Sequence, residues 1–471
     1  MSEKAPSSHW AGRRVHFIGI GGSGMSGIAK IALARGAEVT GSDLHESGLI
    51  DNLKVLGARI FLGHDGANVS GMNPESDIVV RSSAVPESNP EITAARKEGV
   101  PVWERAQFLA ALMEGYRSVA VAGTHGKTTT TSMLTVALQH CRLDPSFAIG
   151  ATVRNSGTNA HHGAGDIFIV EADESDGSFT AYKPCGAIIT NIELDHVDNF
   201  KDIDAIDAIF QKFVSTIAPD GFLVLDIDDP GIVRLMSYVK ENRPDLKITT
   251  YGESSTADVI IDRIFLDQKS SRARVTLRGR VLGEISLSVP GRHNLFNAAA
   301  ALIMGMNLGA STQELLDGLG IFTGARRRFE IKGAVDGITV VDDYGHHPTE
   351  IRATLQTARN YVGAGRVIAI FQPHRFSRTQ AFADDFAREL NQADRTYLLE
   401  IYPASEKPIP GVTSLSIASK MSQEKVIYEP SMPAVIAAVI EEAKPGDLIL
   451  TLGAGDVSSL APLIAANIAA P

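Results

Sequence analysis

A chain of 471 residues is too long for one hydrophobic core, so two to four domains are expected. A formal charge of −11 excludes a general field for nucleic acid, so any phosphate-bearing substrate must meet local positive sites. Hydrophobic residues at 44% and charged residues at 21% suit a folded soluble protein. Two cysteines, Cys141 and Cys185, are too few for a disulfide framework or a cysteine metal site. No secretion signal is visible in Met1 to Arg14, and apolar runs such as 434–440 are too short to cross a bilayer, so a cytoplasmic protein with no membrane insertion is expected.

Short β-rich apolar runs alternate with helical segments, the pattern of parallel α/β sheets. In the first block, Val15 to Ile20 reads as a strand, 24–35 as a helix and Glu38 to Ser42 as a second strand; further strands fit Asp77 to Arg81 and the neighbourhood of Val102. Between the first strand and helix stands Gly19-Ile20-Gly21-Gly22-Ser23-Gly24, with G-x-G-x-x-G spacing. Glycines let a diphosphate approach the backbone, and the helix N-terminus offers free N–H groups. Asp43, about twenty residues on, suits a ribose hydroxyl. Fold alone makes NAD the default occupant.

The second block predicts a strand over 118–122, a helix over 128–139, and strands over 166–171, 187–192 and 222–226. Gly123-Thr124-His125-Gly126-Lys127-Thr128-Thr129 resembles a P-loop, with Lys127 reaching phosphates and the Thr128 hydroxyl reaching Mg²⁺. It is shorter than the usual motif, because Val121 stands at the first glycine position. Glu171-Ala172-Asp173-Glu174-Ser175-Asp176 and Asn191-Ile192-Glu193-Leu194-Asp195-His196 follow strands, where ligands bind in open α/β sheets. They suit Mg²⁺, or else form a solvated turn and a helix cap. From 259 to 289 the pattern changes to short alternating strands, read as an antiparallel flap, and 295–308 reads as a helix. His293-Asn294-Leu295-Phe296-Asn297 offers amides for an adenine edge, or an N-cap.

The third block opens near Arg326-Arg327-Arg328-Phe329, either a solvated hinge or the source of a guanidinium for a phosphoryl group. Strands fit 339–341, 367–371, 395–399 and 447–452; helices fit 350–361, 379–392, 434–442 and 458–468. Asp342 to Pro348 and Gln372 to Arg378 both follow strands, and Arg375 and Arg378 can clamp a carboxylate. The expected domains are 1–115, 116–325 and 326–471.

In this order the motifs resemble the Mur ligase family over essentially the whole chain. The most specific are the loop at 123–129, His293-Asn294 with Asn297, and Arg327-Arg328-Phe329. Within the family, the first glycine turn, Glu171 to Asp176, Asp342 to Glu350 and Phe371 to Thr379 resemble the alanine-adding members. The tripeptide-adding recycling members are the nearest alternative. The resemblance implies an α/β fold of three mainly parallel, doubly wound domains, the central one a P-loop-type ATPase with an added antiparallel segment. They would bind UDP-N-acetylmuramate, ATP and L-alanine in turn, and join them through an acyl phosphate in peptidoglycan precursor synthesis.

On that resemblance the glycine turn holds a UDP diphosphate rather than NAD, using Gly19, Gly21, Gly22, Ser23, Gly24, Asp43 and Ser83. ATP would meet Gly123, Thr124, His125, Gly126, Lys127, Thr128 and Thr129, with Asn294 and Asn297 near the adenine and Arg328 and Asp343 joining from the hinge side. Thr128, Glu171 and His196 would hold Mg²⁺; Lys127, His196 and Arg328 would be catalytic; His346, Arg375 and Arg378 would serve the alanine and acyl region. An NAD-dependent oxidoreductase leaves the P-loop and third block without a task, and a non-catalytic nucleotide-binding regulator leaves the acids unexplained.

Overall fold

A computed structural model describes residues 10–82 and 84–469. Its strands form three sheets, one for each expected domain.

The first sheet runs, in space, Arg59–Leu62, Glu38–Asp43, Arg14–Ile18, Ile78–Arg81, Val102–Glu104, all parallel. The chain's first strand is therefore central, and the strand order reverses beside it. A topological switch of this kind opens a crevice at the carboxyl end of that strand, where the glycine turn lies. The helix Ser23–Ala34 follows at once, and its apolar residues Met25, Ile28 and Ile31 are buried against the sheet.

The central sheet has ten strands. Six parallel ones form its middle: Lys247–Gly252, Phe222–Asp226, Gly186–Ile189, Arg117–Ala122, Ile167–Glu171 and Ser146–Val153. The alternating strands expected as a flap are Val259–Leu266, Ser271–Leu277 and Arg280–Leu287, and they extend the same sheet edge to edge. A further antiparallel strand, Thr158–His161, closes the opposite edge without a clear period in the sequence. Helix Lys127–His140 lies against Arg292–Asn307, whose run Ala298 to Ala301 is wholly buried. Small side chains there allow the two backbones to approach closely.

The third sheet runs Glu330–Val335, Ile338–Asp343, Leu448–Leu452, Val367–Phe371, Arg395–Leu398, Val426–Tyr428, parallel except for its first strand. The chain crosses into it between Arg326, whose N–H donates to the Thr152 carbonyl of the central sheet, and Arg327, whose carbonyl accepts from Tyr344. Among the described residues no helix is long and apolar enough to cross a membrane.

Two expected elements shift for reasons that bear on the site. The strand read as 187–192 stops at Ile189, because Thr190 and Asn191 leave the ladder to bind the phosphate loop. The helix read from 379 begins at Phe376, because the Glu406 carboxylate, thirty residues on, accepts from the N–H groups of Phe376 and Ser377. A cap from so far along the chain leaves no local signature.

Candidate active site

The glycine turn is a compact backbone cradle. Gly19 and Ile20 donate to the Ser42 carbonyl at 2.9 and 3.1 Å, and Gly19 takes φ +77°, a conformation that favours glycine. Among the described residues no side chain caps the helix that begins at Ser23, so its first N–H groups are open to an anion. Asp43 does not stand free to read a ribose: its carboxylate accepts from Gly21 N–H at 2.8 Å and His45 N–H at 3.3 Å. Ser83 lies outside the described residues. A cavity of about 300 Å³ leads from Gly22, Ser23 and Gly24 past Arg105 to Glu171 and Asp173 of the central domain. Asn159 ties the two domains at its wall by donating to the Ser23 carbonyl at 2.9 Å. Arg105 has no hydrogen bond or ion pair among the described residues, so its guanidinium is available to an anionic ligand.

The phosphate loop is held from behind. Thr124 N–H donates to the Asn191 carbonyl, His125 N–H donates to Asn191 Oδ1 at 2.8 Å, and Thr190 Oγ1 donates to the His125 carbonyl at 2.5 Å. Gly126 takes φ +84°, and a Cβ there would lie 2.7 Å from Asn297 Oδ1, so only glycine fits. Lys127 folds back on the loop, donating to the Gly123 and Thr124 carbonyls and lying 2.8–2.9 Å from both oxygens of Glu174. Burial opposes its charge, but Glu174, Asp173 and Glu171 outweigh burial and hold the ammonium firmly protonated.

Two groups of possible metal ligands flank this lysine. Thr128 Oγ1 donates to Glu171 Oε1 at 2.8 Å, while Glu171 Oε2 accepts from Gly150 N–H. A hydroxyl and a carboxylate side by side are the oxygen donors that Mg²⁺ favours. His196 groups with Asp173 and Glu174, with Nε2 3.7 Å from Glu174 Oε1. Asp195 caps no helix; it accepts from His196 N–H and from Arg378.

A cavity of about 370 Å³ lies against the same loop, lined by His125, Gly126, Thr129, Asn294, Asn297, Arg328 and Asp343. Asn294 is not the N-cap of its helix, a position held by Gly291; its amide donates to the Pro290 carbonyl at 2.7 Å. Asn297 accepts from Thr130 Oγ1. Arg328 lies over the Tyr344 ring with Nη1 3.6 Å from Glu350. Asp343 is buried, and its oxygens accept from Phe329 N–H, Gly345 N–H and Thr354 Oγ1. It fixes the hinge backbone that carries Arg328.

The third domain grips the central loop 193–198 from the far side. Thr349 Oγ1 donates to Glu193 at 2.6 Å, His347 Nε2 to the Leu194 carbonyl at 3.2 Å, Arg378 to Asp195, and Arg375 to Asp198. Both arginines are thus engaged across the seam. Beside them His346 donates from Nδ1 to the Tyr344 carbonyl, and its ring meets that of His374, which stacks on Tyr402. Burial, reinforced by Arg378, pushes His346 down to about 3 and His374 down to about 4, so both rings are neutral.

Three family models match successive stretches of the chain. Residues 14–117 match the Mur ligase family catalytic domain, 121–305 the Mur ligase middle domain, and 327–455 the glutamate ligase domain of Mur ligases. The chain is 48% identical over 460 residues to the UDP-N-acetylmuramate–L-alanine ligase of Saccharopolyspora erythraea, covering 97% of this chain and 93% of that one. The chain belongs to the Mur ligase family. The Streptomyces griseus protein of the same name is 47% identical, covering 99% of each chain. Among solved structures, the UDP-N-acetylmuramate–alanine ligase of Thermotoga maritima superposes with a TM-score of 0.79 at 28% identity, covering 96% of this chain and 98% of that one. A murein peptide ligase from Psychrobacter arcticus superposes at 0.71 with 26% identity, covering 97% and 99%.

Sequence reasoning left several groups of this Mur ligase's site unassigned. Asp173 and Glu174 stand in the same acidic run as Glu171, and His374 stands beside Arg375, so their motifs were visible although their roles were not. Arg105 begins an ordinary helix with no motif around it, and only the cavity reveals it.

Proposed function

We infer that this chain joins L-alanine to UDP-N-acetylmuramate with cleavage of ATP to ADP and phosphate, in peptidoglycan precursor synthesis. The observation that carries the reading is the placement of two cavities on either side of the phosphate-loop lysine and its acids, one bordered by Gly126 and Thr129 and the other by Glu171 and Asp173. The glycine turn and Arg105 stand at one end, Lys127 with Thr128 and Glu171 in the middle, and the cavity of Asn294, Asn297 and Arg328 at the other. The full-length relatives bearing the ligase name support the same choice of substrates.

In this reading, residues 1–115 hold the UDP-sugar, 116–325 the ATP, and 326–471 the amino acid. The glycine turn and Arg105 take the diphosphate, directing the lactyl carboxylate along the cavity toward Glu171. Thr128 and Glu171 would hold Mg²⁺, with His196 near a second position, and the ion when bound would supply charge neutralisation on the phosphate oxygens. A carboxylate oxygen attacks the γ-phosphorus, and the bond from phosphorus to the bridging oxygen of ADP breaks. Lys127, displaced from its loop carbonyls, and Arg328 take the developing negative charge. The alanine amine then attacks the acyl carbon, the bond from carbon to the phosphate oxygen breaks, and phosphate leaves. His196 or a neighbouring carboxylate takes the amine proton. His346, Arg375 and Arg378 border the space for alanine. Positioning and electrostatics account for most of the catalysis.

The decisive test uses substrate labelled with ¹⁸O in the lactyl carboxylate. One label should appear in the released phosphate, with ADP as the nucleotide product. Label recovered in AMP, or unlabelled phosphate during productive ligation, would end the acyl-phosphate reading. A panel of amines that includes L-alanine and the tripeptide separates the two kinds of ligase.

A further inference from the structure

The phosphate loop carries one side chain that cradling phosphates does not require. The His125 backbone is pinned by Thr190 and Asn191, so the ring position is fixed. That ring lies between two carboxylates from different domains. Nε2 is 3.4 Å from Glu193 Oε2 of the central domain, and Nδ1 is 3.3 Å from Glu350 Oε1 of the third. Its face packs on His347 at 4.7 Å.

His125, Glu193 and His347 are close enough together to suggest a metal site. The hydrogen bonds of His347 argue against one. Its Nδ1 accepts from Thr349 N–H, so its Nε2 carries the proton that meets the Leu194 carbonyl, and neither nitrogen has a free lone pair. The arrangement is instead a charged imidazolium between two acids. Glu350 is shared further: it accepts from His346 N–H and faces Arg328.

We propose that His125 is a positioning residue that clasps Glu350, holding the third domain on the phosphate loop and leaving the Arg328 guanidinium free to turn toward phosphate. Without the His125 charge, Glu193 and Glu350 face the same space with like charge. Arg328 is then the one permanently charged partner of Glu350 among the described residues, and the guanidinium is drawn onto the carboxylate. The role of Arg328 at phosphate rests on the ligase reading; the clasp itself does not.

The test compares His125→Gln, Glu350→Gln and the double variant in the full chain, with two readouts. The first is amide hydrogen exchange over residues 345–351, with 19–24 as an internal reference. The second is steady-state phosphate release. Each single variant should speed exchange at 345–351 and leave 19–24 unchanged. Each should lower kcat on the order of 10- to 100-fold, the loss of one charge-assisted contact, with little change in KM for ATP. The double variant should be no worse than the poorer single, because the pair acts as a unit. Glu350→Gln reads the clasp from the other side if His125→Gln does not fold. Unchanged exchange, or losses that multiply in the double variant, would overturn the proposal. Wild-type protein that makes no ligation product, while its variants still loosen 345–351, would sink the ligase reading and leave the clasp standing.

Discussion

Arg378 and Asp195, 183 residues apart, form a buried ion pair across the seam between the third and central domains. Nε and Nη2 both donate to Asp195 Oδ1, at 2.9 and 2.7 Å, and the two side chains are 3% and 4% exposed. Burial alone would favour the neutral acid, but Arg378 and then His196 hold Asp195 well below the usual carboxylate range.

Removing one partner of such a pair leaves a charge without compensation. Arg378→Ala should destabilise the chain by about 3–5 kcal/mol, while Asp195→Asn should cost less, because the amide oxygen still accepts from the guanidinium. Thermal unfolding of both variants checks this. Equal and small losses would mean that the seam opens to water in solution.

Lys127→Ala should abolish phosphate release and leave UDP-N-acetylmuramate binding intact, since Lys127 touches only the phosphate loop and Glu174. Among the described residues those are its hydrogen-bond partners. Calorimetry with the UDP-sugar measures the second half of that statement. Loss of both properties in a folded variant would contradict the division of labour between the domains. Chelation of divalent cations should likewise stop phosphate release without unfolding the chain.

Arg105 is the one unpaired cation bordering the cavity between the glycine turn and Glu171 among the described residues. Arg105→Ala should weaken UDP-N-acetylmuramate binding by roughly 1.5–3 kcal/mol, the usual worth of a hydrogen bond to a charged group. ATP affinity should not move. NADH should give no heat with either protein, and tight NADH binding without uridine-ligand binding would return the glycine turn to a dinucleotide role.

The His125 clasp has a definite pH signature. Burial disfavours its charge, but Glu193 and Glu350 outweigh burial and raise it to about 9. His347 packs on the ring and is pushed down to about 4 by burial and by His125 itself, while Arg328 and His346 face Glu350 from the hinge and its own loop. The folded value lies above the unfolded one, near 6.5, so the stabilisation is complete below that pH and disappears as pH rises through about 9. Its full size is on the order of 3 kcal/mol. The stability gap between wild type and His125→Gln, from chemical denaturation, should therefore shrink between these two values. A gap that widened with pH would mean that the histidine is neutral.

The sequence by itself determined the three α/β units and the local chemistry of each turn. Gly19 to Gly24 and Gly123 to Thr129 are legible because the backbone geometry that admits a phosphate needs glycine at fixed offsets, and those offsets lie within one strand–turn–helix. Pairings such as Thr128 with Glu171, or Arg378 with Asp195, were open to no local rule, because they join separate strands or separate domains. Tertiary structure alone decided that Arg375 and Arg378 face Asp198 and Asp195, that Asp43 braces Gly21, and that Glu350 meets His125. Sequence period reports which face of an element is buried, whereas an ion pair depends on how whole domains are set against one another.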